Sequence, residues 1–259
     1  MYKIDAYNIS EEFLDAWRFA GKNLTNQGQG SLNWIRAHLH QPFDDHLSFR
    51  VGNQIFSVLV EVEHSSMESS LTDREINNQA RFCSGNNLVP CIYKVKKTSH
   101  GEFERIFSDW NLIHSETKNP ISPVELISEE LVEMSPWEIH DVGIQTVADQ
   151  IKKDGGEVGS FQSVLNIDPA IWFKREGNGF YVVVRTVTYP ERHAERPPNL
   201  NETIKFIKSL KSPEGKAEGY FASVAIANAD NKFEGKTPLP LYRGSGMYIQ
   251  YKGLESISV

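Results

Sequence analysis

A stretch that alternates apolar with polar residues, breaks at a two-residue turn and runs on through β-branched residues has few options besides a β-hairpin. Residues 44–63 read this way. Leu47, Phe49 and Val51 alternate with polar neighbours, Gly52-Asn53 is the turn, and Ile55 to Val62 is the returning strand. Acidic residues bracket it, Asp44-Asp45 in front and Glu61 and Glu63 at the close. A second such stretch begins at Asp168-Pro169 and runs through Ile171-Trp172-Phe173 to Val184-Arg185. The two Gly-Asn turns, Gly52-Asn53 and Gly177-Asn178, lie 125 residues apart. A period near half of a 259-residue chain predicts one unit written twice.

The flanking segments repeat in the same order. Ser10 opens an amphipathic helix with Phe13, Leu14, Trp17 and Ala20 on one stripe. Residues 31–39 predict a short second helix stopped by Pro42, a helix follows over 73–82, and a strand over 88–95. In the second half a helix is expected over 135–151. Gly159-Ser160-Phe161-Gln162 matches Gly30-Ser31-Leu32-Asn33 in type and place. After the hairpin come a helix over 201–210 capped by Asn201, a strand over 219–228, and a last strand through Met247, Ile249 and Tyr251. The expected fold class is α/β (α+β): a tandem repeat of two α-ββ-α-β units, each a small mixed sheet flanked by helices. The boundaries are 1–111 for the first unit, 112–134 for a connection marked by Pro120, Pro123 and acidic residues, and 135–259 for the second unit.

Composition narrows the class. With 39% hydrophobic and 24% charged residues the chain reads as an ordinary globular protein, and no apolar run is long enough to span a membrane. The N-terminal residues lack the pattern of a secretory signal, and Cys83 and Cys91 read as buried thiols, so a cytoplasmic protein without a membrane partner is expected. A net charge of −7 argues against non-specific coating of nucleic acid, which rests on Lys and Arg neutralising phosphates.

A hairpin brings its two ends to one edge of the sheet, so Asp44 and Glu61, 17 residues apart, converge. With Asp45 they form a candidate site for a hard cation, Mg²⁺ or Mn²⁺, and Glu63 lies on the same strand face as Glu61. Such a cation would activate a water for phosphodiester hydrolysis, with Asp44, Glu61 and Glu63 as the catalytic set. The competing account makes these carboxylates solvated strand ends. The histidines His38, His40, His46 and His64 lack the spacing of a helical ligand pair. Lys205 and Lys208 run along one helix face and, with Arg243 beside Gly244-Ser245-Gly246, are candidate phosphate or ligand contacts, against the competing account of a solvated helix face and a plain turn. Arg185 is either a phosphate contact or the ion-pair partner of an acid such as Glu176.

On these residues the chain resembles the PD-(D/E)XK nuclease superfamily, whose core is a helix, a three-stranded meander or hairpin, a helix and a strand. That family carries an Asp at the start of the hairpin and Glu-x-Lys at its end. Asp44 or Asp45 matches the first motif and Glu61-Val62-Glu63 the second, with Glu63 in place of the Lys. In the second half Asp168 matches the Asp, but Val183-Val184-Arg185 stands where Glu-x-Lys belongs. The resemblance implies a restriction-endonuclease-like fold with a degenerate second copy. Three functions follow as expectations: a non-catalytic or marginally active binding or regulatory protein, a Mg²⁺-dependent nuclease with its site in the N-terminal half, or an acidic immunity or regulatory protein for a basic partner. Nucleic acid or protein are the partners these imply.

Overall fold

In the computed structural model, which describes residues 10–36, 47–63, 70–209, 218–235 and 237–257, the chain divides into two units, Met1–Val132 and Glu133–Val259. The first begins with α1 (Glu11–Gly28), whose cap is the Ser10 hydroxyl accepting the Phe13 amide at 3.1 Å. There follow β1 (Leu32–Arg36), β2 (Leu47–Val51), β3 (Gln54–Glu63), α2 (Asp73–Asn86) and β4 (Val89–Lys97). Thr72 and Glu75 close a reciprocal capping box at the start of α2. Short strands β5 (Phe103–Arg105), β6 (Leu112–His114) and β7 (Pro120–Ile121) complete a mixed sheet in the order β1-β2-β3-β4-β6-β7, with β5 on β4. β1, β2 and β3 are antiparallel neighbours, and β4 returns parallel to β3 after the α2 crossover.

The second unit repeats this plan. Its elements are α3 (Pro136–Lys153), β8 (Glu157–Phe161), β9 (Ile171–Arg175), β10 (Asn178–Thr188), α4 (Leu200–Ser209), β11 (Glu218–Asn228), β12 (Met247–Tyr251) and β13 (Glu255–Ile257). The strand order is β12-β11-β10-β9-β8, again with an antiparallel meander and a parallel return strand. The repeat extends to detail. A register irregularity interrupts β1 between Trp34 and Arg36, and β8 between Val158 and Ser160. Phe49 stacks on Phe56 at 5.2 Å and 21°, and Phe173 on Phe180 at 5.0 Å and 22°.

Strand alternation sends one set of side chains to each side. In the first unit Phe49, Phe56, Val58 and Val60 pack beneath α1 with Ala16, Ala20 and Leu24. Leu59, Ile92 and Ile113 form a smaller cluster with Leu71 and Ile76 on the α2 side. In the second unit Val182 and Val184 meet Ile144, Val147 and Ile151 of α3, and Tyr181 and Val183 meet Leu200, Ile204 and Ile207 of α4. Of the strand residues expected in the core, Ile55 and Phe173 are also buried, while Phe180 is only half-buried. No helix among the described residues is long and apolar enough to cross a membrane.

Each unit is α-βββ-α-β, one strand more than the α-ββ-α-β plan. Residues 32–36, expected as helix, form β1, and 157–161 form β8. Leu32 with Ile35 and Val158 with Phe161 have helical spacing over one turn only, and each segment instead gains its backbone partners from the hairpin beside it. The second hairpin turn is also displaced by one residue. Arg175 pairs with Asn178, so the turn is Glu176-Gly177, with φ of 51° and 79°, and Asn178 already belongs to β10. The matched positions are therefore 124 residues apart, Phe49 with Phe173 and Glu61 with Arg185. Residues 112–121, expected as part of the connection, supply β6 and β7 to the first sheet through backbone pairing with β4. α4 starts one residue before the expected Asn201 cap, and the Asn199 carbonyl accepts the amides of Glu202 and Thr203.

Candidate functional site

The hairpin ends place two ion pairs at matched positions, one per unit. Glu61, near the end of β3, follows Leu59 at strand spacing and so faces the α2 side. Its parallel-sheet partner is Lys94 of β4, and Lys94 Nζ stands 3.0 Å from Glu61 Oε2. The carboxylate is 8% exposed. A buried carboxylate needs a partner of opposite charge, and the neighbouring strand provides it. Glu63 is exposed, opposite Lys96. Lys96 is held above its ordinary pKa first by its hydrogen bond to Glu104 and only last by Glu63. Glu61 and Glu63 thus share a strand face but meet different lysines. Asp44 and Asp45 lie outside the described residues, as do His38, His40, His46 and His64.

In the second unit Arg185 takes the place of Glu61. Its guanidinium grips Asp168 with both ends, Nη1 to Oδ1 at 2.8 Å and Nη2 to Oδ2 at 2.6 Å, while Nη1 also donates to the Val184 carbonyl at 2.8 Å. The Asp168 side chain is 3% exposed and that of Arg185 20%. Of the two sequence readings of Arg185 the ion pair is present, but its acid is Asp168 across the hairpin and not Glu176 at the turn. The counterpart of Lys94 is Ser223, the register partner of Arg185. Its hydroxyl accepts the Ala194 amide at 2.7 Å and so ties down the segment that follows β10.

These geometries decide how well a divalent cation fits. A hard cation needs several oxygen ligands converging on one point. Among the described residues no group of three or more His, Cys, Asp or Glu side chains is placed to hold a metal ion. The described carboxylate of each site is already neutralised, Glu61 by an ammonium and Asp168 by a guanidinium. The described residues of each site therefore form an internal ion pair.

The remaining candidates lie elsewhere. Lys205 and Lys208 are exposed on the outer face of α4, beside the exposed Phe206. Arg243 is inside the protein, its Nε 2.8 Å from Glu138 Oε1 and its Nη2 2.7 Å from Oε2. Glu138 also accepts the Ser135 amide at 2.9 Å as the N3 residue of the α3 capping box. One carboxylate thus caps a helix and anchors the segment that leads into β12. Close by on α3, His140 Nδ1 lies 3.2 Å from Thr186 Oγ1. Thr186 follows Arg185, so this group occupies the opposite face of the sheet from the Asp168–Arg185 pair.

Sequence reasoning passed over Lys94, Ser223 and Glu138. The signal for Lys94 is one polar residue in the apolar run Cys91-Ile92-Tyr93-Lys94-Val95, and for Glu138 it is the Ser-x-x-Glu spacing of a capping box.

A family model described as a domain of unknown function, DUF8840, matches residues 137–257. The match lies within the second unit and spans under half of the chain, and the first unit, built to the same plan, falls outside it. Neither the curated proteins nor the solved structures include a match.

Proposed function

We propose that this chain is a binding or regulatory protein made of two nuclease-like units, neither of which hydrolyses phosphodiesters. The observation that carries the reading is the Asp168–Arg185 pair. At the hairpin position where a nuclease of this plan would hold a cation between carboxylates, the second unit has a guanidinium bound by both ends. Arg is permanently charged, and its planar fork fits a carboxylate in two-point fashion, so the acid has no free edge for a metal. The α-βββ-α-β order with a parallel return strand supports the nuclease-like description. Charge bears on the partner. Up to Val132 there are 18 Asp and Glu against 12 Lys and Arg, and beyond it 16 against 15, so the first unit suits a basic partner better than a phosphate backbone. The reading places the protein in the cytoplasm, where Cys83 and Cys91 remain thiols.

Lys94 favours a second reading. It brings an ammonium to Glu61 from the adjacent strand, level with the Glu of the family's Glu-x-Lys motif and two residues before Lys96, which stands opposite the Lys position held here by Glu63, and an ammonium beside that carboxylate is what a Mg²⁺-dependent phosphodiesterase in the first unit would require. One experiment separates the two. Purified protein and its Glu61→Ala variant are incubated with single- and double-stranded DNA and RNA in Mg²⁺ or Mn²⁺. The binding reading expects no divalent-dependent cleavage by either. Cleavage by the wild type that the variant loses would establish the phosphodiesterase instead.

A further inference from the structure

An exposed sheet edge offers unpaired N–H and C=O groups to any other strand, and folded proteins blunt such edges with bulges, prolines, charges or brevity. Almost every described edge of this chain is blunted. β1 has its irregularity between Trp34 and Arg36, and β8 has one between Val158 and Ser160 with Glu157 at its start. β7 is two residues long and begins with Pro120, while β5 and β13 have three residues each and include Glu104 with Arg105, and Glu255. β12 is different. Met247-Tyr248-Ile249-Gln250-Tyr251 contains no charge and no proline, and its register with β11 is unbroken from Asn228↔Met247 to Val224↔Tyr251. It ends the strand order of its sheet. Tyr248 is 45% and Ile249 36% exposed, and as consecutive strand residues they point to opposite faces.

We propose that β12 is the docking edge for a second copy of this chain, joining the two second-unit sheets through an antiparallel β12–β12 pair with its two-fold axis at Ile249. The strand complements itself about that residue. Ile249 faces Ile249 of the partner subunit. Met247 comes opposite a tyrosine, the counterpart of Tyr251, and Tyr248 opposite a glutamine, the counterpart of Gln250. Apolar and aromatic cross-strand pairs of this kind stabilise antiparallel sheets. Lys252, the first charge beyond the strand, comes opposite a glycine, the counterpart of Gly246, and meets no like charge. Charge also selects this edge, because a chain of net charge −7 repels its own copies wherever acids crowd and does so least along an uncharged strand. Pairing over five residues is a small contact, so the dimer is weak and reversible.

The test is an engineered cysteine. Both native cysteines are buried, so Ile249→Cys adds the single accessible thiol among the described residues. Under mild oxidation Ile249→Cys forms an interchain disulfide, because facing residues of an antiparallel pair bring their Cβ atoms within about 5.5 Å. Tyr248→Cys, opposite a glutamine and not opposite itself, cross-links far less. Sedimentation velocity of the wild type over rising concentration shows a monomer–dimer shift, and Ile249→Lys, which sets two ammonium groups face to face, abolishes it while retaining the wild-type circular dichroism and melting point. A wild type that stays monomeric throughout overturns the proposal. So does a dimer that survives Ile249→Lys, or equal cross-linking at 248 and 249, which would mean a different contact or another protein's strand as the natural occupant.

Discussion

Replacing Arg185 by methionine keeps most of the side chain's length but removes the charge from beside Asp168, a carboxylate 3% exposed and held at 2.6 and 2.8 Å. Deleting one partner of a buried ion pair costs about 3–5 kcal/mol, because the other charge is left desolvated and unpaired. Arg185 is 20% exposed, so water can reach part of the gap, and the lower end, about 3 kcal/mol, is expected. For a unit of this size that lowers the melting midpoint by roughly 10 °C. Asp168→Asn with Arg185→Met removes both charges, and a neutral pair costs far less than a broken one. The double variant is therefore more stable than Arg185→Met alone, a non-additivity that urea unfolding of the four proteins in the cycle measures. Exposing the carboxylate also gives a divalent cation something to bind, so Mn²⁺ raises the midpoint of Arg185→Met and leaves the wild type unchanged. If Arg185→Met melts with the wild type, or the two single costs simply add, the pair does not carry the role assigned to it.

Further expectations concern the core and the thiols. Phe49→Ala, at a fully buried side chain stacked on Phe56 and Trp110, costs about 3–5 kcal/mol in urea unfolding. Gly143→Ala would drive its methyl carbon into Thr186 Cγ2, so α3 must lift from β10 at about 1–3 kcal/mol, measured by the same titration. Thr72→Ala breaks the α2 capping box and costs about 1 kcal/mol, read as a shift in the urea midpoint. Burial pushes the Cys83 thiol up to about 12 and Cys91 well above 9.0, so neither reacts with a thiol reagent at pH 8 until the protein unfolds. Above about 9 the unfolded thiols lose protons that the folded ones keep, so stability falls as the pH rises through that range, which unfolding at pH 8 and pH 10 checks.

The hairpins were legible in the sequence because a period of two and a turn signal are local properties, readable from neighbours alone. The same holds for α2, α3, β4 and β11, and for the doubling of the unit, since two copies of one pattern need no third dimension to be seen. Strands β1 and β8 were not legible. Each is five residues long, and what makes it a strand is the ladder offered by β2 or β9. The turn at Glu176-Gly177 also escaped, because Gly177-Asn178 is an equally good local signal and only the pairing of Arg175 with Asn178 selects between them.

At the candidate sites the sequence determined which charged residues stand at the hairpin ends, and tertiary structure decided whom they meet. Asp168 and Arg185 are 17 residues apart and could be paired from the hairpin alone. Glu61 and Lys94 could not, since their meeting depends on a parallel register set across the α2 crossover. Glu138 and Arg243 are 105 residues apart and meet only through the closing of the second unit. Local pattern is written in the order of residues, whereas the partner of a buried charge is set by which strands and helices the core brings together. A charge held away from water must take the opposite charge that packing places within its reach.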